Sequence, residues 1–282
     1  MNNSFIRTAV YGSSLLIIAD IINKIIQVLT FVYVARYLEV ETYGRLATIL
    51  AFVSFFHLFC LPGMNKVLLR DVASNPNTLS SIFSDYSIIR ILLCLVGIII
   101  CIISSFFIIS DGEIREGILI FSSYILLLQF SNFLDIYFRF KEKYAILSVV
   151  SISVQIPQSL ITIFVVVNYY NYLYILISQI IISFCLIIYQ ISYIKLASGN
   201  NFLGKPKINR NILISSVSFT LISITNLLSN KIDILIIGFL STPAIVAVYA
   251  VAFTLIKYLI VLRNTISSVL LPLVVSNSDE IL

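Results

Sequence analysis

The chain has no tryptophan, a single histidine and few charges: Asp, Glu, Lys and Arg make up 11% of its 282 residues. Soluble domains carry about 25% charged residues, so an ordinary soluble domain is excluded. A hydrophobic content of 60% excludes a disordered chain. One histidine, His57, leaves no HExxH metal site. The four cysteines, Cys60, Cys94, Cys101 and Cys185, lie inside apolar segments with no CxxC pair. They read as small buried residues, not as metal or redox ligands. The chain also lacks a phosphate-binding glycine loop followed by Lys-Ser/Thr, and a serine nucleophile elbow. The expectation is a protein without enzymatic activity, cofactor or metal. An ATP-driven pump would need a separate ATPase subunit. The net charge of +5 does not signal nucleic acid, because the basic residues sit in short gaps between apolar runs. There they act as topology signals.

What the chain does have is a series of long apolar runs. A membrane-spanning helix needs about 20 apolar residues. Runs of about that length occupy 13–37, 43–61, 88–110, 118–138, 145–168, 172–194, 212–240 and 244–262, and the last continues toward Leu271 ahead of Pro272. Backbone groups in lipid must bond within their own segment, and these runs are continuous, not alternating, so each predicts a helix. The expected fold is all-α, a polytopic membrane protein of about eight transmembrane helices. Arg7 precedes the first run and no small-x-small cleavage site ends it, so it reads as a retained signal anchor. The polar, basic stretch with Ser198-Gly199-Asn200-Asn201 and Gly204-Lys205-Pro206-Lys207 reads as a cytoplasmic linker. The organisation is then a six-helix lobe over 1–194, a basic linker over 195–211, and the first two helices of a second, incomplete lobe over 212–282.

Basic residues orient these spans. With the N-terminus inside, Arg7, Lys66, Arg70, Arg90, Arg139, Lys141, Lys143, Lys195, Lys205, Lys207 and Arg210 fall on the inner side. Only Arg36, Arg45 and Arg115 fall outside. That asymmetry supports an even number of spans with both termini cytoplasmic. Tyrosine has to supply the interfacial belt. Tyr33, Tyr37 and Tyr43 flank one outer turn, and Tyr169, Tyr170, Tyr172 and Tyr174 another. Tyr137, Tyr144, Tyr189 and Tyr193 mark inner turns.

Several charges lie where lipid would penalise them. Lys24 is about halfway along the first run, with Asp20 one turn before it, Asn23 beside it and Gln27 three residues on. A Lys or Asp at a span centre costs roughly 2.5–3.5 kcal/mol or more, so this stripe should face protein or water. It either lines a cavity or packs through an Asp20–Lys24 pair. Lys231 and Asp233 repeat the device, with Asn226 and Asn230 extending the stripe. Two residues apart means about 200° around a helix, so each needs a partner from another helix. Lys257 either snorkels or lines the interior. His57 is either a hydrogen-bonded structural residue or a proton relay. Lys66, Arg70 and Arg90 gather at the inner mouth, where they set topology or attract an anion. Arg36 and Arg45 bracket Glu39 and Glu41 as a solvated outer cluster, and Asp135 with Arg139 reads as a structural pair at a helix end.

Three segments carry a family resemblance: Ala35-Arg36-Tyr37-Leu38-Glu39-Val40-Glu41-Thr42-Tyr43-Gly44; Leu61-Pro62-Gly63-Met64-Asn65 with Arg70; and Ile232-Asp233-Ile234-Leu235-Ile236-Ile237-Gly238 running into Ala247-Val248-Tyr249-Ala250. In order and in position relative to the spans, the chain resembles Wzx-type polysaccharide-unit flippases of the multidrug/oligosaccharidyl-lipid/polysaccharide exporter superfamily. The resemblance covers nearly the whole chain. It implies a bacterial cytoplasmic-membrane protein that moves polyprenyl-pyrophosphate-linked oligosaccharide units for O-antigen, capsule or other lipopolysaccharide and exopolysaccharide assembly. The partners it implies are that lipid-linked oligosaccharide, the bilayer, and the polysaccharide polymerase and chain-length machinery. Such flippases have two six-helix lobes around a cationic cavity, so Lys24, Lys231, Asp20, Asp233, Asn23, Gln27 and Lys257 become cavity candidates and Asp233 and His57 coupling candidates. The departure is length: the chain looks C-terminally truncated, which keeps open a non-transporting remnant or assembly partner. A drug/cation antiporter of the same superfamily is the other alternative; it would favour acidic over basic cavity residues.

Overall fold

The computed structural model describes residues 3–74, 79–169, 171–198, 210–258 and 260, and every regular element among them is helical. In chain order these are α1 (Asn3–Tyr37), α2 (Val40–Phe56), a short 3₁₀ turn (His57–Cys60), α3 (Met64–Ser74), α4 (Leu79–Ile108), α5 (Gly112–Phe121), α6 (Tyr124–Phe140), α7 (Tyr144–Tyr169), α8 (Tyr172–Ser198) and α9 (Arg210–Leu240). A further apolar helix, α10, follows at Pro243–Tyr258. The linker 199–209, everything beyond residue 260, and the side chains of Arg7, Asn226 and Asn230 lie outside the described residues.

Six stretches are long and apolar enough to cross a bilayer: Ser14–Tyr37, Val40–Ser74, Leu79–Ile108, Gly112–Phe140, Tyr144–Tyr169 and Tyr172–Ala197. The first six expected spans fall on them to within two residues, with two internal breaks; the two expected over 212–240 and 244–262 are met only by the shorter apolar helices Asn211–Thr225 and Pro243–Tyr258 among the described residues. The 3₁₀ turn ends at Leu61, which adopts φ 47° ahead of Pro62. The ring of a proline disfavours a right-handed helical residue before it, so the helix stops there and restarts as α3. The run expected at 118–138 is two helices, because α5 starts early and breaks at Ser122-Ser123. Both serine hydroxyls bond back to carbonyls three residues earlier, Ser122 to Leu119 at 2.9 Å and Ser123 to Ile120 at 3.0 Å. Such back-bonding competes with the helical ladder. Asp111 caps α5, accepting from the Glu113 amide at 2.9 Å.

The protein is a multi-pass membrane bundle. α4 shows Leu92, Val96, Ile99, Ile103 and Phe106 on its outside, each exposed and spaced by three or four residues. In water such a stripe would drive aggregation; in a bilayer it is the lipid face. Inside are two apolar cores. One gathers Ile49, Phe52, Val53, Ile118, Val166 and Leu176, and the other Met64, Leu68, Phe83, Phe133 and Phe138. Helix α9 reaches both, through Leu235 in the first and Ile212 in the second.

Two glycines let α9 and α10 come this close. A Cβ on Gly44 would run into the backbone of Pro243, and one on Gly63 into the backbone of Thr220. The Gly63 amide donates to Thr220 Oγ1 at 3.2 Å. Both glycines lie in segments that carry the family resemblance, so the resemblance marks the places where α9 and α10 dock.

Candidate functional site

Helix α1 lies along α7, and their seam is polar. Asn23 Nδ2 donates to Ser151 Oγ at 3.2 Å, and Gln27 Nε2 donates to Gln155 Oε1 at 3.1 Å. Gln155 Nε2 in turn donates to Ser159 Oγ at 3.0 Å. Residues four apart share a helix face, so each helix offers one polar ribbon. The pairings ascend together, so the two helices run parallel, as the first and fifth of six alternating crossings must.

Behind this seam lies a cavity of about 650 Å³. Its polar walls are Gln27 and Thr30 of α1, Asn132 and Asp135 of α6, Gln155 and Gln158 of α7, and Gln179 and Ser183 of α8. Tyr43, Tyr124 and Tyr258 supply rings. No Lys or Arg is among its lining residues. A second space of about 280 Å³ shares Ser131, Asp135 and Gln155 with the first and adds Asn23, Arg139, Ser151 and Gln190. The polar interior is therefore amide, hydroxyl and ring, with Asp135 common to both spaces.

The lysines gather elsewhere. Lys24 donates to Gln27 at 3.4 Å, not to Asp20, which is exposed. Lys257 of α10 lies within electrostatic reach of both Lys24 of α1 and Lys231 of α9. It sits 5.1 Å over the Phe253 ring. The neighbouring turn brings Tyr258 within 5.8 Å of Phe31, and Tyr43 bonds Thr254. Lys257 thus bridges, by its electrostatic reach, a cation of α1 and a cation of α9, where α10 packs on α1 through Tyr258 and Phe31 at the edge of the large cavity. Tyr258, Phe31 and Tyr43 belong to both places.

The other sequence candidates are placed apart. Asp233 accepts from the Tyr249 hydroxyl at 2.9 Å and so ties α9 to α10. His57 opens the 3₁₀ turn, its ring 6.5 Å from Tyr124 and its Nε2 buried without a partner. It lies behind a cavity wall, not in it. Lys66 is exposed, 5.9 Å over the Phe219 ring. Arg70 is exposed and pairs with Asp71 at 2.9 Å.

Three readings of the charges are corrected. Arg90 is not at a mouth. It is fully buried, donating to Asn65 Oδ1 at 2.7 Å and to Gln129 Oε1 at 3.2 Å, with Phe133 under the guanidinium at 5.6 Å. The starting turns of α4, 79–87, lie beyond the apolar run read from sequence, so what looked like a helix end is helix interior. Arg45 pairs with Asp111 at 3.2 Å and Glu113 at 2.6 Å, not with Glu39 or Glu41; the loop before α5 folds over the start of α2. Asp135 accepts from Gln190 at 2.8 Å and forms no ion pair with Arg139 among the described residues.

The glutamines of α7 and α8, and the place of Asp135 in the cavity wall rather than in a pair with Arg139, are what sequence reasoning missed. The signal was present: Gln155, Gln158, Gln179 and Gln190 all interrupt apolar runs. Amides draw less notice than charges, although in lipid each also needs a partner.

The chain belongs to the polysaccharide biosynthesis protein family, whose model matches residues 9–278. That family covers Wzx-type flippases and related exporters, and its members are generally transporters rather than enzymes. No curated protein and no solved structure matches the chain.

Proposed function

We propose that this family member carries polyprenyl-pyrophosphate-linked oligosaccharide units across the cytoplasmic membrane of a bacterium, for O-antigen, capsule or related surface polysaccharide assembly. The observation that carries the reading is that Lys257 lies within electrostatic reach of both Lys24 and Lys231, beside a cavity walled by amides, hydroxyls, tyrosine rings and the Asp135 carboxylate. The two halves of such a substrate need these two environments. Pyrophosphate is anionic, and ammonium groups bind it as point charges. Sugar hydroxyls are neutral donors and acceptors with apolar ring faces, which suit amides, hydroxyls and tyrosine rings. The polyprenol tail needs neither and stays in the bilayer.

The proposal includes the arrangement read from sequence. Residues 1–194 form one lobe, 195–211 a cytoplasmic linker, and 212–282 the opening hairpin of a second lobe. Both termini are cytoplasmic, as the basic residues favour. The polymerase and the chain-length machinery are the downstream partners.

The test is complementation. Expressed in cells deleted for their own unit flippase, the chain restores surface polymer, and a variant with Lys24, Lys231 and Lys257 all changed to Met does not. Failure of the unaltered, stably expressed chain would leave a non-transporting assembly partner. The drug/cation antiporter reading rests on Asp135 as the one charged residue lining the large cavity. It predicts a change in drug susceptibility that follows Asp135 and ignores the lysines.

A further inference from the structure

The cavity behind the α1–α7 seam is roomy, polar and almost without charge. Its volume of about 650 Å³ lies in the roughly 300–1,000 Å³ range of small-molecule sites. Gln27 and Gln155 bond each other, and Gln155 goes on to Ser159. Gln158 lines the same space, and its Nε2 is buried with no acceptor. The smaller space next to it has the opposite lack. Gln190 Nε2 donates to Asp135 Oδ1 at 2.8 Å, which turns the Gln190 carbonyl away. That oxygen is buried with no donor, on a residue 1% exposed. Asn23 Nδ2 donates to Ser151 Oγ, and Asn23 Oδ1 is likewise buried and unpartnered.

Buried polar groups of this kind call for a partner. A ligand that answers them must both donate and accept. Sugar hydroxyls do both. The acetamido group of an N-acylated sugar carries the matching pair, an N–H for an amide oxygen and a carbonyl for an amide NH₂. Charge decides which sugars fit. Among the described residues, Asp135 is the charged residue lining the larger space. Arg139 joins it in the smaller one, exposed and within electrostatic reach of Asp135, so the two charges offset each other. Lys24 is turned to Gln27, and on the transport reading the lysines serve the pyrophosphate. A sugar carboxylate entering the cavity would lose its water and meet another carboxylate in place of a cation. An anion buried without a counter-charge is strongly disfavoured.

We propose that the saccharide this chain takes is built from uncharged sugars, hexoses and N-acylated amino sugars, and that Asp135 discriminates against units bearing uronic or other acidic sugars. The inference rests on the transport reading for the lipid-linked ligand and adds the chemistry of its sugars. The Asp135 carboxylate accepts from sugar hydroxyls and repels a second carboxylate. Gln158 Nε2, Asn23 Oδ1 and Gln190 Oε1 gain the partners they lack. Tyr43, Tyr124 and Tyr258 offer ring faces to the apolar faces of the sugars. Pyrophosphate and tail are common to every unit, so the lysines hold neutral and acidic units alike and the choice falls to the cavity.

The test uses the full chain purified in detergent, with its calorimetric unfolding midpoint followed against ligand concentration. The ligands are polyprenyl-pyrophosphate trisaccharides that differ in one residue: an N-acetylated hexosamine unit with neutral hexoses, the same unit with one hexose replaced by a uronic acid, and the methyl ester of that uronic acid. The neutral unit is expected to raise the midpoint saturably. The uronic acid unit should need at least about tenfold more ligand for half the shift, and its ester should return to within about threefold of the neutral unit. Asp135→Asn should narrow the gap between acid and ester; the ester arm tests charge against shape even if that variant fails to fold. A uronic acid unit that binds as well as the neutral one, an ester as weak as the acid, or a midpoint that none of the ligands moves overturns the proposal. Complementation separates the two readings. Equal polymer in flippase-deleted hosts making neutral and uronic acid units overturns this inference and leaves transport standing. Selective binding by the purified chain with no polymer in either host supports it and overturns transport.

Discussion

The interior behind the α1–α7 seam and the seam between α1 and α9–α10 are both polar, but they are built on opposite terms. In the first, Asn23, Gln27, Ser151, Gln155 and Ser159 donate to and accept from one another. The fold depends on them, because removing one strands its partner. In the second, Lys257 lies within reach of the repulsion of both Lys24 and Lys231. Nothing in mutual repulsion stabilises a bundle. Charges kept at such a cost in a membrane mark a pathway or a ligand. The difference separates polar groups that bond one another across the fold from cations that, on the proposed reading, serve an anionic ligand.

The strongest way to break this contrast is to remove the seam's charge. Changing Lys24, Lys231 and Lys257 together to Met should cut surface polymer by at least roughly three orders of magnitude, the low end of about 1.5–3 kcal/mol for each charged hydrogen bond lost. The unfolding midpoint should hold or rise. Normal polymer, or a collapsed midpoint, would show the lysines to be structural after all.

Arg90 is the counter-example, a cation that belongs to the fold. Arg90→Ala leaves Asn65 and Gln129 without their donor and opens a void over Phe133. It should destabilise by about 3–5 kcal/mol, read as a lower calorimetric midpoint and reduced membrane abundance. A smaller step on the interior side is Gln27→Leu, which strands Gln155 Oε1 and removes the acceptor of Lys24, at a cost of about 1–3 kcal/mol read as a lower calorimetric midpoint. Smallest of all, Lys24→Arg keeps the charge. Transport should stay within about threefold, less than 1 kcal/mol, since phosphate accepts either cation. A large loss there would mean that Lys24 is held in one geometry by its bond to Gln27 and is not a point charge at an open seam.

The type of the elements and the place of the first six spans were legible because hydropathy is a local property. The 145–168 run and α7 agree to within a residue at each end, as do the 172–194 run and the start of α8. The breaks were harder. The break at Leu61 coincides with the end of the 43–61 run, whereas Ser122-Ser123 lay inside a run, since two serines there are tolerated unless their hydroxyls turn back on the ladder. Of the site, the cations on α1, α9 and α10 could be read as a set, since each interrupts an apolar run. Their partners could not be read. Asp233 found Tyr249 within its own hairpin, and Arg45 found a loop more than sixty residues away. Asp135 was assigned to Arg139 because helical spacing suggested it, but Gln190 of another helix took the nearer place.

The amino-acid sequence alone determined that this chain is a helical membrane protein with costly charges in its spans. Lipid offers the backbone no hydrogen bonds, so every apolar run of that length must close its own. Only the tertiary structure decided which partner each charge meets, Asn65 and Gln129 for Arg90 and Gln27 for Lys24. That depends on helix faces meeting across long stretches of chain, and a side chain's cost in lipid is set by the neighbour it finds there.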